Sequence, residues 1–132
     1  MRWACCWMVS TPANLSRWGY ELYSSKGNAI PVSVRNKLLT SMKGNSVTFQ
    51  GTRQKYGYFV TERMLTLPSS KTITTYGHPG GGGGYSTLLR YSPELDLSIA
   101  ILVNSPLKFQ GSCKKYDPKT CIAESIFSAY LK

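Results

Sequence analysis

The 132-residue chain has little acid and almost no histidine: six Asp and Glu residues and one His, against sixteen Lys and Arg. No His or further Cys stands at ligand spacing from the adjacent Cys5-Cys6 pair, so no zinc or other metal site is legible. No apolar run approaches the roughly 18 residues of a membrane-spanning helix, which excludes that class. The Gly-x-x-x-x-Gly-Lys-Ser/Thr signature is missing, so the chain's glycine run is not read as a phosphate-cradling loop. RNA-binding, zinc-finger and helix-turn-helix signatures are missing too, and the basic residues are scattered, with only Lys114 and Lys115 adjacent. The net charge of +10 is therefore read as solvated basic surface rather than a nucleic-acid face. There is no internal repeat and no linker, which leaves one domain at most; 42% apolar and 12% aromatic residues support a packed core.

What is present centres on Tyr76 to Asn104. Lys71–His78 is rich in β-branched and aromatic residues, which suit a pleated, half-buried surface. Five glycines, Gly80–Gly84, follow His78-Pro79, and then a second β-prone run, Tyr85–Tyr91. Ser92-Pro-Glu-Leu-Asp96 reads as a turn, and Leu97–Val103 as an apolar strand. Three consecutive antiparallel strands result. Each residue without a side chain lets another backbone or a ligand approach closely, so His78 and the bare amides after it read as one wall of a pocket. The competing reading is a floppy low-complexity turn.

Upstream, Thr11 is placed to N-cap a helix with Pro12 at its first position, and Leu15, Trp18, Gly19 and Leu22 form its packing stripe. Gly27 is expected to end it. Pro31 opens a second helix with Val34, Leu38 and Met42 on one face, ended by Lys43-Gly44-Asn45. Residues 43–55 are polar and read as a loop, Tyr56–Glu62 as a strand, and Leu65–Ser70 as a turn. After a surface loop over 105–117, Pro118 starts a terminal amphipathic helix carrying Ile122, Ile126, Phe127 and Tyr130. The fold class is α+β: an antiparallel sheet of about four strands flanked by helices. Cys113 and Cys121 flank an Asp-Pro turn and are either a disulfide, which hints at an oxidising compartment, or two reduced thiols.

His78-Pro79-Gly80, the glycines, Tyr85-Ser-Thr-Leu-Leu, Tyr91-Ser-Pro-Glu94 and Leu97–Asn104 together resemble the end of the serine β-lactamase and penicillin-binding superfamily. Its closest branch is the class C β-lactamases with the D-aminopeptidases, carboxypeptidases and esterases. There, a Lys-Thr-Gly or His-x-Gly triad sits on the strand lining the active site. Met8–Trp18 is similar to a helix start common in this family, and Tyr56-Gly-Tyr-Phe resembles its Tyr-Gly-x-Gly-Trp strand.

The resemblance implies acyl transfer by a serine in Ser-x-x-Lys, with proton transfer through Tyr-x-Asn or Ser-x-Asn. Such chemistry needs an activated nucleophile, a base in reach and donors aimed at the oxyanion. It places His78 where the triad's cation sits, makes Gly81 N–H an oxyanion donor, and assigns substrate binding to His78, Pro79, Gly80, Gly81 and Gly82. Pro79 departs from the family's hydroxyl or small residue and removes a donor. Ser105-Pro-Leu-Lys108 fits Ser-x-x-Lys but follows the last strand instead of opening a long apolar helix, and no Tyr-x-Asn or Ser-x-Asn occurs.

The expectation is a single partial domain over 1–132, the C-terminal part of a β-lactamase-like fold without its N-terminal strands and helical lobe, inactive alone. Met1–Val9 is too short for a signal peptide, lacks a cleavage site and departs from the family; a truncated or misread gene start explains both facts. The complete parent would take a small-molecule or peptide substrate, with no cofactor, nucleic acid or membrane. The isolated chain is expected to be marginally stable or to self-associate through an unpaired sheet edge. The alternative function is a small basic interaction protein using the glycine loop and aromatics.

Overall fold

The computed structural model describes residues 8–49, 52–104, 113 and 117–131. Cys5-Cys6, Ser105–Lys108 and Lys114-Lys115 lie outside the described residues.

Thr11 caps α1 (Pro12–Tyr23) by accepting the Asn14 N–H at 3.2 Å, and Pro12 occupies the first turn, where its missing N–H costs nothing. The helix ends at Tyr23, four residues before Gly27. Buried Arg35, on α2 (Val32–Thr40), closes that end by donating to the carbonyls of Leu22, at 3.1 Å, and Gly27. Gly19 and Tyr23 are buried, but Trp18, expected in the core, is 50% exposed. The helix meets the sheet through Ser16, whose hydroxyl donates to the Ser98 carbonyl at 2.7 Å, and through Gly19 and Tyr23; Trp18 is left at the flank. On α2, Val34 is likewise exposed, whereas Met42 beyond its end is fully buried.

One sheet holds β1 (Ser46–Phe49), β2 (Thr52–Gly57), β3 (Val60–Thr66), β4 (Thr72–Gly82), β5 (Tyr85–Ser92) and β6 (Leu97–Val103) in chain order, every neighbouring pair antiparallel. The α+β architecture is the expected one, with six strands rather than about four. The two extra strands lie in the polar stretch read as a loop. They are an edge hairpin whose Ser46, Thr48, Arg53 and Lys55 face water; β1 alternates Ser-Val-Thr-Phe over four residues only, and β2 is polar up to Tyr56, so the apolar signal is short. Cross-strand polar pairs hold it instead: Arg53 donates to Ser46 at 3.2 Å, and Lys55 pairs with Glu62. Tyr56–Glu62 is not one strand, because the chain reverses at Tyr58-Phe59, with Phe59 at φ +57°. β3 continues through Leu65, and the turn starts only at Pro68.

Alternation along β5 explains why the sheet is covered on both faces. Leu88 joins Leu65, Leu67, Ile73 and Ile99 under Ala123 and Phe127 of α3 (Pro118–Tyr130). Its neighbour Leu89 joins Tyr91, Val60, Met42 and Tyr23 on the side of α1 and α2. In α3 the buried stripe is Cys121, Ala123 and Phe127, while the expected Ile122 and Tyr130 are 40% and 65% exposed. Cys113 and Cys121 form a disulfide with Cα atoms 5.6 Å apart, tying the start of α3 to the segment before it.

Candidate functional site

The glycine run is built into the sheet. Gly80–Gly82 complete β4, opposite Thr87, Ser86 and Tyr85 of β5. Only Gly83 and Gly84 make the turn, at φ +57° and +88°, the pair of positive values that a tight type I′ hairpin requires. The low-complexity reading therefore fails: three of the five glycines sit in a ladder.

β4 is longer than the strand on its other side. Its pairing with β3 runs from Thr72 to Gly77, whereas its pairing with β5 runs from Tyr76 to Gly82. His78, Pro79, Gly80, Gly81 and Gly82 therefore have a partner strand on one side and, among the described residues, none on the other. A Cβ at Gly80 would meet Thr87 Oγ1 at 2.4 Å. At Gly81 the nearest atom is 3.7 Å away, and at Gly82 nothing lies within 4 Å. The fold itself does not demand glycine at those last two positions; bare backbone there leaves open space.

This asymmetry predicts two opposite outcomes. Gly84→Ala should destabilise the chain by about 1 kcal/mol, because an L side chain is strained at positive φ. Gly82→Ala should leave stability within about 0.5 kcal/mol. Urea melts of the two variants check both; equal losses would mean that the turn geometry does not decide the matter.

His78 is exposed, and both of its ring nitrogens are engaged. Nε2 lies 3.2 Å from the Tyr56 hydroxyl, with the two rings edge to face at 5.7 Å between centroids. Nδ1 meets the carbonyl of Pro79. Sequence pattern marks Tyr56 only as part of the Tyr56-Gly-Tyr-Phe strand motif. Its contact with His78 spans 22 residues and depends on two intervening hairpins, which local pattern does not reveal.

Two hollows flank the sheet. One of about 480 Å³ is lined by Tyr23, Lys26, Arg35, Tyr76, Tyr91 and Asp96; the other, about 720 Å³, lies at the β2–β3 turn and includes Tyr56, Tyr58 and Phe59. In the first, burial raises the Tyr23 and Tyr76 phenols and pushes Tyr91 up to about 12. These are packing tyrosines, not proton carriers near neutrality. Among the described residues there is no cluster of three or more His, Cys, Asp or Glu able to hold a metal ion, and no helix is long and apolar enough to cross a membrane.

Among the described residues, no serine of a Ser-x-x-Lys sequence stands at the wall. Besides Ser105–Lys108, Ser112-Cys-Lys-Lys115 also fits Ser-x-x-Lys; apart from disulfide-bonded Cys113, both segments lie outside the described residues.

Comparison with known proteins gives two matches. The family model described as Beta-lactamase matches residues 7–118. A solved structure, the D-stereospecific amidohydrolase from Streptomyces sp., is similar at 21% identity and a TM-score of 0.46, covering 80% of this chain and 26% of that one. The chain thus spans about a quarter of that relative's length. No curated protein sequence matches.

Proposed function

Because the chain belongs to the β-lactamase family, we propose that His78–Gly82 is the substrate-binding wall of a serine hydrolase acyl-transfer site whose nucleophile lies outside these 132 residues. The observation that carries this reading is the five-residue overhang of β4, an unpaired strand edge that an extended acyl substrate could line.

Alternation along the strand supports the direction of that edge. The Gly77 carbonyl accepts from Thr61 Oγ1 of β3 at 2.8 Å, so it points to the β3 side. Two and four residues on, the backbone groups of Pro79 and Gly81 fall on the same side, where β3 has ended. Pro79's missing N–H then leaves no ladder bond unmade, which is where sheets tolerate proline. Gly81 N–H is free to meet an oxyanion, as the resemblance implies. An ester, amide or β-lactam carbonyl are all compatible with a wall of this kind; fold does not choose among them.

Inactivity of the chain alone is part of this proposal. An oxyanion donor and a binding edge stabilise a tetrahedral intermediate but do not form one without an activated hydroxyl and a base. The chain should therefore gain no covalent label from a fluorescent penicillin or a p-nitrophenyl ester. An adduct on any of its serines would place the nucleophile inside the chain and end that part of the proposal. Binding is read separately: a short acylated peptide should shift the amide NMR signals of Gly80–Gly82, and unmoved signals there at millimolar peptide would remove the wall.

A further inference from the structure

We propose that Tyr56 is a positioning residue for His78, holding its imidazole as the neutral tautomer with hydrogen on Nδ1. The inference rests on the reading of His78 as part of the binding wall, but its geometry stands without it.

Donor and acceptor arithmetic at the ring fixes the proton. A carbonyl oxygen only accepts, so the Nδ1 contact with the Pro79 carbonyl requires hydrogen on Nδ1. In the neutral ring Nε2 then carries a lone pair, and the Tyr56 hydroxyl 3.2 Å away is the donor that fills it. The carbonyl contact selects the proton position; the Tyr56 hydroxyl, able to donate or accept, fits that tautomer as the donor to Nε2. The edge-to-face stacking of the two rings adds an orientational restraint that survives loss of the hydroxyl.

The phenol is itself held in place. Tyr56 N–H donates to the Asn45 carbonyl at 3.2 Å. Its neighbour Gly57 lies so close to the end of α2 that a Cβ there would come within 2.8 Å of backbone atoms of Ser41 and Met42. The strand carrying Tyr56 is thus seated on the α2 corner, and the hydroxyl is delivered to His78 from a fixed support. A ligand that donates to Nε2 must replace the Tyr56 hydroxyl, and one that accepts from Nδ1 must replace the Pro79 carbonyl. In this role Tyr56 acts through His78.

His78 is the single histidine of the chain, so its ring nitrogens are observed without assignment ambiguity. With histidine labelled in ¹⁵N, long-range proton–nitrogen correlation in alkaline buffer, where the ring signals no longer change with pH, reads the tautomer directly. Wild type should show a protonated-type Nδ1 and an unprotonated-type Nε2. Tyr56→Phe keeps the ring contact and removes the donor; its populations should move toward the Nε2–H form that free histidine prefers. Tyr58→Phe, which alters an exposed tyrosine on the same turn, should leave them unchanged. A wild-type ring dominated by Nε2–H overturns the proposal even if the Phe variant fails to fold, and so does a folded Tyr56→Phe variant with unaltered populations. No ligand is present in this measurement, so its failure is distinct from failure of the peptide to shift Gly80–Gly82.

Discussion

Gly77→Ala should destabilise the chain by about 3 kcal/mol or more, a large share of the roughly 5–15 kcal/mol that keeps an ordinary domain folded. Gly77 stands immediately before His78, at φ +150°, and a Cβ there would lie 2.0 Å from the Leu89 carbonyl oxygen and 2.8 Å from its carbon. Those are backbone atoms of β5, so no rotamer change relieves the overlap. Relief requires β4 to move away from β5 along the ladder that carries His78 opposite Leu89. Leu89 also belongs to the core under α1, so the displacement spreads into packing. A urea melt reads the loss. A folded Gly77→Ala variant within about 1 kcal/mol of wild type would show that the close approach of the two strands is not needed to present His78.

The comparison between sequence and structure divides by kind of signal. β5 and β6 were legible because their apolar residues fill both faces of a covered sheet, and α1 because Thr11 and Pro12 are local cap chemistry. The β1–β2 hairpin was illegible because its apolar alternation is confined to the four residues of β1, while β2 is polar up to Tyr56. Trp18 and Ile122 misled for a common reason: periodicity marks an apolar residue but not which side of the helix the sheet will take. Buried polar groups left no mark at all. Arg90 is 1% exposed, donates to Thr61 Oγ1 at 2.6 Å, and is pulled down to about 10 by burial first and by Arg63 second. For the candidate site, the strand that carries His78 and its place beside the glycine run were legible in the sequence. The overhang of β4 past β3 and the approach of Tyr56 were not, because both depend on where a neighbouring strand begins.

Lowering the pH below about 4 should destabilise the chain progressively, and Asp96 should account for a large share of the slope. Asp96 lies in the β5–β6 turn at φ +46°. Its Oδ1 accepts from Ser24 Oγ at 2.7 Å and the Tyr91 hydroxyl at 3.0 Å; its Oδ2 accepts from Lys26 Nζ at 2.6 Å and the Tyr20 hydroxyl at 3.2 Å. One carboxylate thereby ties the end of α1 to the hairpin that follows the wall. The Lys26 bond first, then the Ser24 bond, holds its pKa well below the usual carboxylate range. A depressed folded-state pKa means stability that is present above the unfolded value, near 3.9, and lost as pH falls through it toward the folded one. Glu94 and Asp117 act in the same sense: burial would raise each, but hydrogen bonds led by the Thr74 N–H and by Lys119 outweigh it. Since the chain is already at +10 near neutrality, each carboxylate neutralised also adds to self-repulsion. Lys26 is 72% exposed, so its ion pair adds little to stability at neutral pH. The larger loss on truncation comes from Ser24 and Tyr91, 0% and 3% exposed, whose hydroxyls would be left without this acceptor. Asp96→Ala should therefore cost about 2–3 kcal/mol at pH 7, and Asp96→Asn, which keeps one acceptor oxygen, about 1 kcal/mol. The Asn variant should also show a shallower fall in stability between pH 5 and 3 than wild type. Parallel slopes for the two proteins would mean that the acid sensitivity arises elsewhere and that Asp96 is not the knot between α1 and the hairpin.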